Sequence, residues 1–398
     1  MSLSARIQAM SESPIRKLTP FAQAAEAQGK KVYHLNIGQP DVPTPKVFME
    51  QVRKFTEPTL AYGNSHGEEV LLKAIRKYYL GLGMDYALED IYVTNGASEA
   101  LGFAILAICD PGDELLIFEP FYSNYSSMAQ MYNVQLKAIA TSPENDYRLP
   151  GEEVIEKAIT PKTKALLLNN PGNPAGTIFT RKEMEMLVRI ALKHDLMIIA
   201  DESYREYVFS GSMISFGTYP ELAQNLVITD TVSKRFSACG ARIGYLLTKN
   251  KELCQQILKC CQSRLCCPML EQYGAAALYS TPPEYLAKVN AEYKKRSETL
   301  KEELAKIPGL QFSKPCGAFY VMVKLPVDDA ESFATWLLEH FDLDGDTVMI
   351  APGAGFYLTP GKGVDEARLA YVINCQALRR AIKILGAGLQ AYPGYKLK

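Results

Sequence analysis

Seven short apolar runs between residues 91 and 247 constrain this chain more than any other feature. They are Ile91–Thr94, Leu115–Phe118, Ala138–Ala140, Ala165–Leu168, Met197–Ala200, Leu226–Ile228 and Ile243–Leu247. Each has the length of a buried strand, and helical patterns separate several of them. The clearest helix is Thr180–His194, which opens on a capping box of Thr180 and Glu183. Such alternation predicts an α/β fold, a largely parallel sheet with helices on both faces. Ligands of sheets like this sit beyond the carboxyl ends of the strands. Four runs lead there into polar candidates: Glu119 to Tyr122, Asn169 to Gly176, Asp201 to Tyr204, and Thr231 to Lys234.

The last of these is the most suggestive. Lys234 follows a strand, with Ser233 and Thr231 just before it and Arg242 in a glycine-flanked turn after it. A lysine so placed is either a solvated surface charge or an amine beside a bound phosphate. In the second case it can form a Schiff base with a carbonyl while the hydroxyls and guanidinium hold the anion. Earlier, Asn95-Gly-Ala97-Ser98 opens a helix, and small residues there leave outward N–H groups that suit an anion. Gly38, in the turn Ile37-Gly-Gln-Pro40, allows close backbone approach or simply ends a strand. Tyr62 lies in a polar, glycine-containing loop, where its ring serves packing or its hydroxyl serves function.

The remaining organisation follows from punctuation. Pro14 and Pro20 are read as breaks in a helical N-terminal segment. Beyond residue 250 the chain turns helical, and a charged helix at 284–307 can link two lobes. A second α+β region follows, with strands at 318–323 and 368–373 and helices at 329–341 and 376–386. Gly353-Ala-Gly355 and Gly361-Lys-Gly363 complete no nucleotide-binding motif.

A net charge of −1 gives no electrostatic footprint for nucleic acid, and no apolar run reaches membrane-spanning length. Nine cysteines include the adjacent pairs Cys260-Cys261 and Cys266-Cys267, read as lying in one helical segment. That spacing suits a tetrahedral metal poorly, so no metal is expected. Reduced, mostly buried thiols in a cytoplasmic protein are expected instead.

These residues together carry a resemblance over nearly the whole chain. The chain resembles the class I/II aminotransferases, pyridoxal-phosphate enzymes of fold type I and aspartate-aminotransferase-like. The motifs are Asn36-Ile-Gly38-Gln-Pro-Asp41, Tyr62 with Gly67, Asn95-Gly-Ala-Ser98, Asn173-Pro-Ala-Gly176 and Asp201-Glu-Ser-Tyr204. They continue with Ser233-Lys234, Arg242-Ile-Gly244, Gly317-Ala-Phe-Tyr320 and Arg368-Leu-Ala-Tyr371. Ala175 replaces the threonine common in the family, a change the neighbouring asparagine should tolerate.

The resemblance implies a large domain over residues 45–285, built on a mostly parallel seven-stranded sheet, and a smaller α+β domain from residues 1–44 and 286–398. It implies that Lys234 binds pyridoxal 5′-phosphate as a Schiff base and then moves the substrate α-proton. Asp201 would pair with the pyridine nitrogen, while Asn173 and Tyr204 would hydrogen-bond the ring's phenolic oxygen. Tyr122 would stack on the ring, although a core aromatic would look the same in sequence. The phosphate would meet Ala97, Ser98, Thr231, Ser233 and Arg242. Arg368 would take the substrate α-carboxylate in a bidentate pair, with Gly38 and Asn173 on the substrate side.

Tyr62 would reach the phosphate of a neighbouring subunit, implying a homodimer with shared sites. The implied reaction moves an amino group from an L-amino acid, aspartate favoured, to a 2-oxo acid such as 2-oxoglutarate. It would run by a ping-pong route through pyridoxamine phosphate. A β-lyase or an aminocyclopropane-carboxylate-synthase-like eliminase is the alternative on the same fold. More remote is a regulatory domain that binds the cofactor, but the pattern begins within the first 40 residues and leaves no room for a DNA-binding module in front.

Overall fold

The computed structural model describes residues 3–10 and 12–397. A seven-stranded sheet forms its centre, in the spatial order Ile91–Thr94, Gly244–Leu247, Leu226–Thr231, Met197–Asp201, Thr163–Asn169, Glu114–Glu119, Gln135–Ala140. Each of the seven predicted runs supplies one strand. Only Gly244–Leu247 runs antiparallel to its neighbours. The link before it holds just the short helix Val232–Arg235 and a turn, and a parallel return would require a longer crossover.

Side chains alternate across this sheet, and both faces are dry. Leu166, Leu168, Ile198, Ala200, Leu226 and Ile228 pack into one core. Ala165, Leu167, Ile199 and Val227 pack into another on the opposite face. Burial on both faces explains why these strands read as continuous apolar runs rather than alternating ones. Helices Glu69–Gly81, Arg181–Lys193 and Met269–Leu278 cover the first face. Ala97–Ile108, Asn124–Tyr132 and Lys251–Arg264 cover the second. Thr180 caps its helix as expected: its hydroxyl accepts from the Glu183 N–H at 3.2 Å, and Glu183 accepts from the Thr180 N–H at 2.7 Å.

A third core gathers Leu18, Val32 and Leu35 with Val289, Tyr293 and residues 318–392. In it Lys31–His34 pairs in parallel with Asp346–Met349. Beside them lies a four-stranded antiparallel sheet of Ala351–Pro352, Glu366–Ala370, Tyr320–Lys324 and Gln311–Phe312. The long helix Pro283–Leu304 packs along the last helix, Cys375–Ala391.

Two expectations are corrected. Pro20 does not break a helix but sits in the first turn of Thr19–Ala27, where its missing N–H has no intrahelical partner to lose. The cysteine pairs do not share a helix: Lys251–Arg264 carries Cys260 and Cys261, then ends at Leu265 before Cys266 and Cys267. Four of the nine cysteines are buried and five half-buried, so the thiols are less enclosed than their apolar neighbours suggested. Among the described residues no helix is long and apolar enough to cross a membrane, and no cluster of three metal-ligating side chains occurs.

Candidate active site

The register of the parallel strands sets Asn169, Asp201 and Thr229 side by side at the carboxyl edge of the sheet. From there the strand Leu226–Thr231 passes directly into the helix Val232–Arg235. Thr231 caps that helix, its hydroxyl accepting from the Ser233 N–H at 3.1 Å and lying 2.8 Å from the Ser233 hydroxyl. Lys234 and Arg235 then leave in different directions. The Lys234 amine donates to the Gly38 carbonyl at 2.9 Å and lies 3.8 Å from Cys239 Sγ. Arg235 turns into the interior, a direction the sequence leaves open, and bonds Asp230 at 2.5 Å and the Tyr245 hydroxyl at 3.0 Å.

Asp230 is fully buried and also accepts from the Tyr79 and Tyr245 hydroxyls, at 3.0 and 2.9 Å. This pair anchors the lysine-bearing turn from behind. Removing one partner strands the other charge in a dry interior, so Arg235→Met should lower folding stability by about 3–5 kcal/mol. Urea unfolding monitored by circular dichroism measures it, and a loss below about 1 kcal/mol would show that the pair is not a principal anchor.

Asp201 ends its strand 5% exposed, with no cation paired to it among the described residues. One carboxylate oxygen accepts from the Tyr125 hydroxyl at 2.7 Å; the other accepts from the hydroxyl and N–H of Ser203 at 2.6 and 3.1 Å. Burial raises its pKa, against the pull of those donors. A carboxylate held this way is prepared for a cationic partner that the chain itself does not provide. Tyr125 escaped the sequence reading because one more aromatic after Phe121 and Tyr122 carries no distinguishing signal. Tyr122 meets its ring edge-on, 5.4 Å between centroids, and burial pushes the Tyr122 hydroxyl up to about 12.

Arg368, on the strand Glu366–Ala370, is 1% exposed and likewise has no acidic partner among the described residues. It donates to the Asn173 side-chain oxygen at 3.0 Å and to the Asn36 carbonyl, while its Nε has no partner. Its guanidinium lies 4.4 Å from the ring centre of Tyr320. The Tyr320 hydroxyl in turn bonds that of Tyr204 at 2.9 Å. A Cβ on Gly38 would come within 1.7 Å of the Tyr320 oxygen, so glycine is required there by space. Tyr320 was visible in the sequence only as part of a motif, and its contacts make it a member of the site.

The third group of charge-bearing residues lies at the start of the helix Ala97–Ile108. Gly96 precedes it with φ +78°, and Ala97 and Ser98 are its first residues. Arg242 faces this start, donating to the Asn95 carbonyl at 3.2 Å and the Cys239 carbonyl at 3.0 Å. A Cβ on Gly96 would lie 2.4 Å from its guanidinium nitrogen. Tyr62 alone stands apart, 80% exposed on its loop.

The donor set therefore fits pyridoxal phosphate: an amine, a buried carboxylate without a cation, and a helix start with an exposed arginine beside two hydroxyls. Comparison with known proteins agrees. Residues 30–371 match the family model for aminotransferase class I and II. Aspartate aminotransferase of Bacillus subtilis is 30% identical over 96% of this chain and 98% of its own. The solved aspartate aminotransferase of Thermus thermophilus, a single mutant, superposes with a TM-score of 0.89 at 27% identity, covering 98% of this chain and all of that one. An alanine aminotransferase from Pyrococcus furiosus reaches the same TM-score at 29% identity and the same coverage. This chain belongs to the class I and II aminotransferases, and is a pyridoxal-phosphate-dependent transaminase of fold type I acting on amino and oxo acids.

Proposed function

We propose that this transaminase takes the amino group of an L-amino acid, aspartate foremost, and passes it to a 2-oxo acid such as 2-oxoglutarate in two ping-pong half-reactions. The observation that carries this reading is Arg368: a buried guanidinium with no carboxylate partner among the described residues, joined through Tyr320 and Tyr204 to the side of the site where the Lys234 amine lies. Such a group suits the α-carboxylate of an amino acid, held by two parallel hydrogen bonds. Gly38 would face the substrate beside it, packed against Tyr320, and Asn173 accepts from the guanidinium.

When bound, pyridoxal phosphate supplies an aldehyde and an electron sink for the substrate's α-carbon. Lys234 would hold it and is placed to move the α-proton. Ala97, Ser98, Thr231, Ser233 and Arg242 would hold its phosphate. Asp201 would favour a proton on its ring nitrogen, Asn173 and Tyr204 would bond its phenolic oxygen, and Tyr122 would pack against the ring. The aspartate preference follows that of the Bacillus and Thermus relatives, both aspartate aminotransferases.

In this reading Tyr62, exposed on its own protomer, completes the phosphate seat of a second copy in a homodimer. The chain divides at 44/45 and 285/286, in keeping with the separate core formed by its two ends. Its free cysteines suit the cytoplasm.

A panel of amino donors, each mixed alone with the holoenzyme, tests the reading. The cofactor's absorbance should shift to that of its amine form without any oxo acid, fastest per unit concentration with aspartate. Release of ammonia or pyruvate without that shift would assign a β-lyase or eliminase instead. A faster shift with alanine would overturn the donor preference alone.

A further inference from the structure

The cysteine-rich segment after residue 250 contains a side chain that the mechanism does not use. Helix Lys251–Arg264 ends at Leu265, which adopts φ +79° although it is not glycine and stays 52% exposed. That strained turn leaves Arg264 facing inward, and strain of this kind is commonly retained where it serves a site. The Arg264 side chain is 13% exposed. It donates to Glu99 at 3.2 Å, to the Ser65 carbonyl at 3.2 Å and to the Val93 carbonyl at 3.3 Å, and it contacts the Cys267 sulfur.

Glu99 is the informative partner. It lies in the first turn of Ala97–Ile108, the helix whose N-terminus we assign to the phosphate. An unscreened carboxylate there would oppose a phosphate dianion. Glu99 nevertheless has structural work: it accepts from the N–H of Asn95 at 2.8 Å and from the Asn95 side chain at 3.1 Å. The Asn95 carbonyl in turn accepts from Arg242. A continuous chain of charge-assisted bonds therefore runs Arg264–Glu99–Asn95–Arg242. At its far end, Arg264 also grips the loop that carries Tyr62, through Ser65.

We infer that Arg264 is a positioning residue of the phosphate seat: it offsets the Glu99 charge, and through Glu99 and Asn95 it holds Arg242 toward the helix start. The inference rests on the phosphate assignment made above.

Titrating apo-protein with pyridoxal phosphate, and separately with pyridoxal, followed by absorbance, tests it. In Arg264→Met the dissociation constant for pyridoxal phosphate should rise about tenfold, as expected for an uncompensated charge at a helix start. That for pyridoxal, which has no phosphate, should stay within about twofold. Adding Glu99→Gln to Arg264→Met should restore most of the lost affinity, because the opposing charge is gone. Equal losses for both ligands, or no rescue, would reduce Arg264 to a packing role and overturn the inference.

Should Arg264→Met fail to fold, Glu99→Gln alone decides: it should hold pyridoxal phosphate at least as tightly as the parent, and weaker binding overturns the inference. Arg242→Gln separates the two layers of argument. If it binds pyridoxal phosphate like the parent, the phosphate assignment itself fails; if it weakens binding while Arg264→Met does not, only the role of Arg264 fails.

Discussion

Lys234→Ala should abolish transamination, lowering kcat/KM by at least about four orders of magnitude, because one change would remove both the proposed covalent hold on the cofactor and the group proposed to move the α-proton. Folding should survive. The turn around residue 234 is fixed by contacts that do not involve its amine: the Tyr207 hydroxyl donates to the Lys234 carbonyl at 2.8 Å, and Arg235 is tied to Asp230. Pyridoxal phosphate should still bind noncovalently, since the proposed phosphate contacts of Thr231, Ser233 and Arg242 remain. Borohydride reduction of the loaded parent should label position 234, and the variant should carry no label. Near-parental turnover by the variant, or a label elsewhere in the parent, would remove Lys234 from the mechanism.

Asp201→Ala should have the next largest effect, slowing the half-reaction by about two to three orders of magnitude and weakening cofactor binding. Burial makes this carboxylate expensive to keep charged, and its three donors from Tyr125 and Ser203 only partly compensate. In the proposed reading a protonated ring nitrogen would supply the missing positive partner, and removing the carboxylate would leave that proton less favoured. Tyr125→Phe should follow the same direction with a smaller effect, because Ser203 still supports the carboxylate. Stopped-flow absorbance at saturating donor and cofactor measures both. A slowing of less than about tenfold in Asp201→Ala would show that the ring nitrogen's proton is not held there.

Much of this was written locally along the chain. Strands buried on both faces must be apolar throughout, so seven runs stood out, and their polar ends marked one edge of the sheet. The capping box at Thr180 was equally plain, because its two partners are three residues apart. Contacts set only by tertiary approach were silent. Tyr125 and Tyr320 look like core aromatics until the structure brings their hydroxyls to Asp201 and Tyr204. The strand Asp346–Met349 gave no signal of its partner, because Lys31–His34 lies near the other end of the chain. Arg235 could not be aimed in advance, since adjacent lysine and arginine on a short helix diverge by a rotation that periodicity alone does not tie to a buried aspartate.

That parallel pairing of the two chain ends has a consequence for biogenesis. Val32 and Leu35 belong to a core most of whose other members, from Val289 to Tyr392, are made long after them. At bacterial-to-eukaryotic elongation rates of about 5–20 residues per second, the intervening stretch takes on the order of tens of seconds to translate. Throughout that interval the leading segment must wait as an unsatisfied, partly greasy tail, while the central sheet can already assemble behind it.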